Sequence, residues 1–196
     1  MSTPQQRGRR RFLLIAAIFF TPMILAYAVY FGPEAWKPSG QTNHGELQSP
    51  VRPLELNLLE VDGQTSAEAW QGQWTLLQLL PEQCDAACES RIVDMRQLRT
   101  SLHRHRERVQ RLVLLPSSEA AQALQARLQA EHPLLRFGVL EADEHARLQQ
   151  ELNAGEPLTV VLVDPLGNYL LRYTPEVDLR GMYKDIKRVL KLSNIG

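Results

Sequence analysis

Residues 74–88 read Trp74-Thr75-Leu76-Leu77-Gln78-Leu79-Leu80-Pro81-Glu82-Gln83-Cys84-Asp85-Ala86-Ala87-Cys88, an apolar run followed closely by two cysteines. The apolar run has the length of one buried strand, and Pro81 ends it. A helical pattern then begins beside the cysteines, with residues spaced to share one buried face at Cys88, Ile92, Met95 and Leu102. The sequence therefore predicts a strand, a short loop and a helix around the two cysteines.

The spacing of Cys84 and Cys88 suits redox or metal chemistry. Side chains four positions apart can lie on one side of a helical turn. The first turn also offers unpaired N–H groups and the positive end of the helix dipole, and both favour a thiolate. Such a pair can close a disulfide or hold one soft metal ion. The alternative is a purely structural disulfide, but so short a loop gains little from a cross-link because the gain grows with loop length.

The N-terminus carries an uncharged run of twenty residues, Phe12–Phe31, after four arginines between positions 7 and 11. A helix of that length crosses the hydrocarbon core of a bilayer, which is roughly 30 Å thick. Two other interpretations are a signal peptide with an A-x-A site at Ala26-Tyr27-Ala28 and a twin-arginine export signal. We favour an uncleaved anchor, because the run exceeds the roughly 7–15 residues of a signal-peptide core.

The arginines before the run are expected to remain in the cytoplasm, so the rest of the chain is exported under each interpretation. We therefore predict a single-pass protein of the bacterial inner membrane with its C-terminal domain in the periplasm, where disulfides persist. The net charge is zero, and beyond residue 31 the chain has 18 basic and 22 acidic side chains. This balance gives no support to nucleic-acid binding, and we expect the membrane but no nucleic acid as a partner.

The composition divides the chain into four segments. We expect a basic cytoplasmic tail at 1–11, a transmembrane anchor at 12–31, and a linker rich in glycine, proline and polar residues at 32–53. A folded domain follows at 54–196. Its predicted strands are Leu54–Val61, Gln73–Leu80, Val109–Leu115, Leu134–Leu140, Leu158–Val163 and Tyr169–Tyr173, and its predicted helices lie near 83–102, 119–130, 141–152 and 179–190.

Strands that alternate with helices, and a hairpin near the end, predict an α/β fold in which helices flank a mixed sheet. Because the cysteines follow a central strand of that sheet, the pattern is that of a thioredoxin-like domain. Together with the N-terminal helix, this gives the predicted fold class: a thioredoxin-like mixed sheet flanked by helices, preceded by a transmembrane helix.

The layout resembles the Sco/SenC family, membrane-anchored thioredoxin-like proteins that assist copper insertion into cytochrome c oxidase. The resemblance rests on the C-x-x-x-C spacing of Cys84 and Cys88 and on Val161-Leu162-Val163-Asp164-Pro165-Leu166-Gly167-Asn168, which is similar to the family's turn before the last hairpin. Asn43–Pro53 and the CDAAC motif also resemble a subgroup of short membrane proteins associated with oxidase assembly. The resemblance implies cytochrome c oxidase subunits or assembly factors as partners, and copper as a possible cofactor.

The family's copper site uses both cysteines and a distal histidine, and here that position is Glu156. A carboxylate is a hard ligand that suits Cu(I) poorly, so the chain resembles a divergent subgroup without the distal histidine. Cys84 and Cys88 could still hold Cu(I) between two thiolates, with Glu156 as a candidate replacement ligand. Pro157 precedes a predicted strand, where thioredoxin-like redox proteins place a cis-proline; a proline that only starts the strand is the alternative.

Three functions follow from these residues. The first is a Sco-like accessory factor for cytochrome c oxidase biogenesis, which reduces copper-site cysteines or transiently binds Cu(I) through Cys84 and Cys88. The second is a general membrane-tethered thiol–disulfide oxidoreductase, in which Cys84 is the nucleophile and Cys88 the resolving thiol. The third is a non-catalytic docking subunit.

Among the histidines, we expect neighbouring acids to raise the proton affinity of His145.

Overall fold

The computed structural model describes residues 4–32, 43–61, 70–152, 154 and 158–196. The chain divides into two compact units, Met1–Thr42 and Asn43–Gly196. The first unit contains helix α1, Pro4–Phe31, with Pro22 inside it. Its stretch Gly8–Phe31 is long and apolar enough to cross a membrane. The predicted anchor at 12–31 thus lies within a single helix.

The second unit contains a mixed sheet, which has seven strands within the described residues. The strands are β1 Glu46–Pro53, β2 Glu60–Val61, β3 Trp74–Leu79, β4 Val109–Leu115, β5 Leu135–Val139, β6 Val160–Val163 and β7 Asn168–Tyr173. Their order across the sheet is β1-β7-β6-β3-β4-β5-β2. β3, β4 and β5 run parallel, whereas β6 is antiparallel to β3. β3 is therefore the central strand, and all six of its residues are buried.

Helices cover both faces of this sheet. They are α2 Ala86–Ser101, α3 Ser118–Leu128, α4 Ala142–Glu151 and α5 Leu179–Leu192, and a 3₁₀ helix runs over His103–Arg108. The buried residues form two hydrophobic cores. The first core contains buried side chains of α2, α3 and α5. The second core contains Trp70 and buried leucines of α4 and of the segment after β1. The predicted buried face of α2 is confirmed, since Ile92 and Met95 are fully buried.

The last hairpin also matches its prediction. Asp164 begins the turn between β6 and β7, where its Oδ1 accepts the backbone N–H groups of Leu166 at 2.9 Å and of Asn168 at 2.7 Å. Gly167 has a φ of +91°, a conformation that glycine adopts without steric cost. The turn chemistry of the sequence therefore fixes this part of the fold.

The boundary predicted between linker and domain needs correction. Glu46–Pro53 lies in the linker predicted at 32–53, but it forms strand β1, antiparallel to β7 at the edge of the sheet. This strand is largely exposed and shows no alternation of apolar and polar residues, so the sequence carries no strand signal there. It is held by pairing with β7 and by an ion pair between Glu46 and Arg172.

The strand predicted at Leu54–Val61 is also shorter than expected. Only Glu60–Val61 forms a strand, and it pairs with β5. The preceding residues bury every second side chain, at Leu54, Leu56 and Leu58, without joining the sheet as a strand. A segment that packs every second side chain against the second core shows the same alternation of buried and exposed residues as a half-buried strand. This pattern explains why the sequence predicts a longer strand here.

Candidate redox site

Cys84 and Cys88 lie at the end of the central strand. β3 ends at Leu79, and the N–H of Leu80 still donates to the carbonyl of Leu114 on β4 at 2.9 Å. A loop of three residues, 81–83, then leads to Cys84. The site therefore sits on a loop between the central strand and α2, and both elements are packed in the first core.

The two cysteines form a disulfide, with 5.4 Å between their Cα atoms. Cys88, in the first turn of α2, is only 1% exposed. Cys84 is partly exposed and precedes the helix. Cys84 is therefore the more accessible residue of the pair, which is the asymmetry expected of an attacking and a resolving cysteine.

Asp85 caps the helix between the two cysteines. Its backbone is extended, and its Oδ1 accepts the N–H of Cys88 at 2.9 Å. α2 consequently begins at Ala86, three residues later than predicted. An aspartate directly before a helical pattern is a recognised N-cap signal, so the start of this helix could have been placed correctly from the sequence.

Charged side chains from two helices surround this cap. Arg127 of α3 forms an ion pair with Glu89 of α2, and its Nη2 donates to the carbonyl of Cys84 at 3.4 Å. Glu82, two residues before Cys84, accepts the Ser117 hydroxyl at 2.6 Å. The cysteine loop thus has three nearby acids and one arginine, and that arginine is already bonded to one of the acids.

Arg91 connects α2 to the loops beside the site through hydrogen bonds. Its side chain is 7% exposed, and its Nε donates to the carbonyl of Leu158 at 3.1 Å. Its Nη atoms donate to the carbonyls of Thr174 and Val177 at 3.2 and 3.3 Å. Burial lowers the pKa of Arg91, and the charge of Asp94 opposes this effect. A cavity of about 220 Å³ adjoins these residues, lined by Ala87, Ser90, Arg91, Asp94, Leu158 and Pro175.

Sequence reasoning missed Arg91, because an arginine in a helical pattern is usually a solvated side chain. The one available signal is its spacing: it lies three residues after Cys88, next to Ile92 on the buried face. The two other predicted site residues, Glu156 and Pro157, lie outside the described residues. Their roles as a replacement ligand and as a cis-proline remain predictions.

The described residues give copper few ligands. None of them form a group of three or more His, Cys, Asp or Glu side chains that could hold a metal ion. Within that part of the chain, the donors are the two sulfurs alone, and a disulfide must first be reduced before both can bind Cu(I) as thiolates. Among the described residues, no third ligand of these kinds accompanies the two sulfurs.

The prediction for His145 was wrong. Its acidic neighbours in sequence do not dominate, because the imidazole is buried at the start of α4 against the backbone of Leu80 and Leu114. Burial lowers the pKa of His145, and those backbone groups and the charge of Glu82 oppose the shift more weakly. Its Nε2 has no hydrogen-bond partner among the described residues.

A mixed sheet with a disulfide after its central strand defines the chain as a thioredoxin-like protein, here with an N-terminal helix that can span a membrane. It belongs to the family described as "Transmembrane-like, thioredoxin-like, C-terminal domain", whose family model matches residues 74–193. A second family model, described as "Transmembrane-like, N-terminal domain", matches residues 3–32. A search of curated protein sequences gives no match for this chain.

Solved structures with similar folds include Sco proteins. Apo Sco1 from Thermus thermophilus is 18% identical with a TM-score of 0.58, and the match covers 79% of this chain and 99% of that one. Copper-bound yeast Sco1 is 16% identical with a TM-score of 0.54, over 63% and 81% of the two chains. A DsbF homologue from Corynebacterium diphtheriae is 15% identical with a TM-score of 0.53, over 78% and 96%. The predicted Sco-like, thioredoxin-like fold is thus confirmed.

Proposed function

We propose that this chain is a membrane-anchored, Sco-like accessory factor for cytochrome c oxidase biogenesis, whose domain in the bacterial periplasm reduces disulfides of copper-site cysteines on its partner. The observation that carries the proposal is the Cys84–Cys88 disulfide after the central strand, with one cysteine partly exposed and the other buried. The similarity of the fold to copper-bound Sco1 supports the link to copper-site assembly.

The reaction begins with the reduced pair. The thiolate of Cys84 attacks one sulfur of the partner's disulfide; the partner's S–S bond breaks, a mixed disulfide forms, and the leaving thiolate takes up a proton. Cys88 then loses its proton and attacks Cys84, so the mixed disulfide breaks and the Cys84–Cys88 bond closes. Two electrons and two protons pass to the partner, and a dithiol protein of the same compartment must return them.

Matched cysteine variants of the full chain in detergent test this mechanism. The reduced protein is mixed with an oxidised peptide that carries two cysteines in C-x-x-x-C spacing, and free thiols are counted by maleimide labelling. We expect the wild type to reduce the peptide and Cys88→Ser to accumulate a mixed disulfide, because Cys84 can attack but nothing resolves the adduct. Cys84→Ser should do neither. If Cys84→Ser accumulates the mixed disulfide and Cys88→Ser does not, the roles of attacking and resolving cysteine are reversed. If the wild type does not reduce the peptide, the non-catalytic docking subunit is the interpretation that remains.

The pathway is tested separately in cells that lack the chain. We expect reduced cytochrome c oxidase activity in their membranes, restored by the wild type and not by Cys84→Ser. Normal oxidase activity in those cells, together with active thiol exchange in vitro, would favour the general oxidoreductase.

Transient Cu(I) binding is the second candidate, and it is favoured by the close approach of two sulfurs in one site. Reduced full-length protein should then compete for Cu(I) with a chelator of sub-micromolar affinity, and Cys84→Ser should abolish that binding. Retention of Cu(I) by the Cys84→Ser variant would contradict a two-thiolate site.

A further inference from the structure

Asp85 holds a position at the helix start that a thiolate would otherwise use. A cysteine at a helix N-terminus becomes a stable thiolate when the free N–H groups and the positive helix end act on its sulfur. Here the N–H of Cys88 already donates to the Asp85 carboxylate at 2.9 Å. A negative charge therefore occupies the helix end, on the residue directly after Cys84.

The remaining charges around Cys84 do not cancel that of Asp85. Glu89 and Arg127 neutralise each other as an ion pair, and Glu82 adds a further carboxylate, which accepts the neutral hydroxyl of Ser117. Within the described residues, no cation forms an ion pair with Asp85. Three carboxylates, those of Glu82, Asp85 and Glu89, thus lie within five residues of Cys84, and the one arginine bonded to this loop is paired with Glu89.

We propose that Asp85 makes the Cys84–Cys88 pair a more strongly reducing couple, and so favours the donation of electrons to partner disulfides. Stabilising the thiolate stabilises the reduced pair and makes a disulfide oxidising; withdrawing that stabilisation favours the disulfide and makes the dithiol a stronger reductant. The inference deepens the proposed function by naming a residue that favours electron flow toward the partner, and it rests on this pair being the reacting group. The step is the one balanced above, with two electrons leaving the dithiol.

Two variants of the full chain in detergent remove the charge and keep a helix cap. Asn and Ser are both good N-cap residues, so Asp85→Asn and Asp85→Ser retain a side-chain acceptor for the N–H of Cys88. Each variant is equilibrated in dithiothreitol redox buffers, and the fraction of disulfide is measured by maleimide labelling. We expect the equilibrium to move toward the dithiol by about tenfold, which is ~30 mV for a two-electron couple.

A kinetic measurement reports on the sulfur directly. In a Cys88→Ser background, Cys84 should be alkylated by iodoacetamide at neutral pH roughly tenfold faster after Asp85→Asn, because a larger fraction is thiolate. A residue that only stabilised the helix would not change this rate.

The matched control is Asp178, which caps α5 and accepts the N–H of Gly181 at 2.8 Å. Asp178→Asn removes the same charge from the start of a different helix, and we expect the wild-type equilibrium and alkylation rate. Equilibria within twofold of the wild type for both Asp85 variants, or a shift toward the disulfide, would overturn the proposal. Because dithiothreitol replaces the partner, this result does not depend on whether the chain reduces peptide disulfides.

Discussion

The His145 imidazole is a buried group whose charge state depends on folding. Its side chain lies behind the strand end that leads to the cysteines, against the backbone of Leu80 and Leu114. Burial lowers its pKa below the usual 6.5 or so, so the folded protein keeps the ring neutral where the unfolded chain would protonate it. His132 has a lowered pKa of the same origin, reinforced by Arg96 and Arg111.

These shifts predict a loss of stability in mild acid. As the pH falls below about 6.5, the unfolded chain binds protons that the folded chain does not bind, so the free energy of unfolding decreases. We expect His145→Leu to flatten this decrease in part, with His132 contributing a further part. Urea unfolding of the full chain in detergent between about pH 5 and 8 measures the slopes. A wild-type stability that rises on acidification would contradict the sign.

Individual residues differ in how far the sequence predicts them. Asp85 carries a cap signal that can be read directly, whereas the burial of His145 cannot, because acidic neighbours along the chain say nothing about the strands its ring packs against. Arg91 looks like a surface residue until the loops at Leu158 and Thr174 are placed beside it. In each case the missing information is a contact with a residue far away in the sequence.

At the level of elements, Arg91 is the main polar tie between α2 and the loops on either side of the β6–β7 hairpin. It donates to three backbone carbonyls, and a guanidinium is suited to this because its donors form a rigid fork. The three bonds are partly buried, and partly buried carbonyls that lose their donor cost free energy where water replaces it poorly.

Removing this tie should destabilise the protein. We expect Arg91→Met, which keeps the length and the apolar stem, to lower the free energy of unfolding by about 2–4 kcal/mol. Arg91→Lys should recover little, because an ammonium cannot reach all three carbonyls. Urea unfolding measures both, and Arg180→Met is an exposed control that should stay within roughly 0.5 kcal/mol of the wild type. Equal stability of Arg91→Lys and the wild type would show that charge alone is sufficient.

The predictability of elements follows from how much local signal each carries. β3, β4 and β6 are buried along their whole length, so segments rich in apolar residues between turn residues identify them. β1 has no such run and exists because β7 offers it an edge to pair with. The segment at Leu54–Leu58 shows the converse, an alternating pattern without a strand.

For the domain as a whole, Asp185 joins the beginning of the fold to its last helix. The carboxylate is buried on α5, and its Oδ2 accepts the N–H groups of His44 and Gly45, each at 2.8 Å. These two residues lead into β1, so the edge strand is held by a bond to α5 as well as by its pairing with β7.

This arrangement predicts a local effect as well as a global one. Asp185→Ala leaves two N–H groups without an acceptor, and we expect the free energy of unfolding to fall by about 2–3 kcal/mol. Amide exchange should accelerate in Glu46–Pro53 more than in β3, because the tie acts on the edge of the sheet. Asp178→Ala, which removes only a helix cap, should cost about 1 kcal/mol and leave exchange in β1 unchanged. Uniform acceleration in both strands after Asp185→Ala would argue against a local role.

The whole fold was predictable in outline, because the order of strands, helices and cysteines is enough to define a thioredoxin-like sheet. The candidate site was predictable only as a pair of thiols. The cysteines are adjacent in sequence, but the electrostatics of the pair depend on Arg127 from α3, and its packing depends on carbonyls more than sixty residues away from Arg91. The sequence contains those residues without indicating that they meet.

The edge strand β1 also bears on how copies of this protein coexist in a membrane. Molecules that share a bilayer encounter one another often, and an open sheet edge is where polypeptides add to each other as intermolecular β-structure. Here that edge is Glu46–Pro53, with a break in register between Leu47 and Arg52 and two prolines that have no N–H to offer. Such an edge is a poor template for pairing with a second copy of the chain.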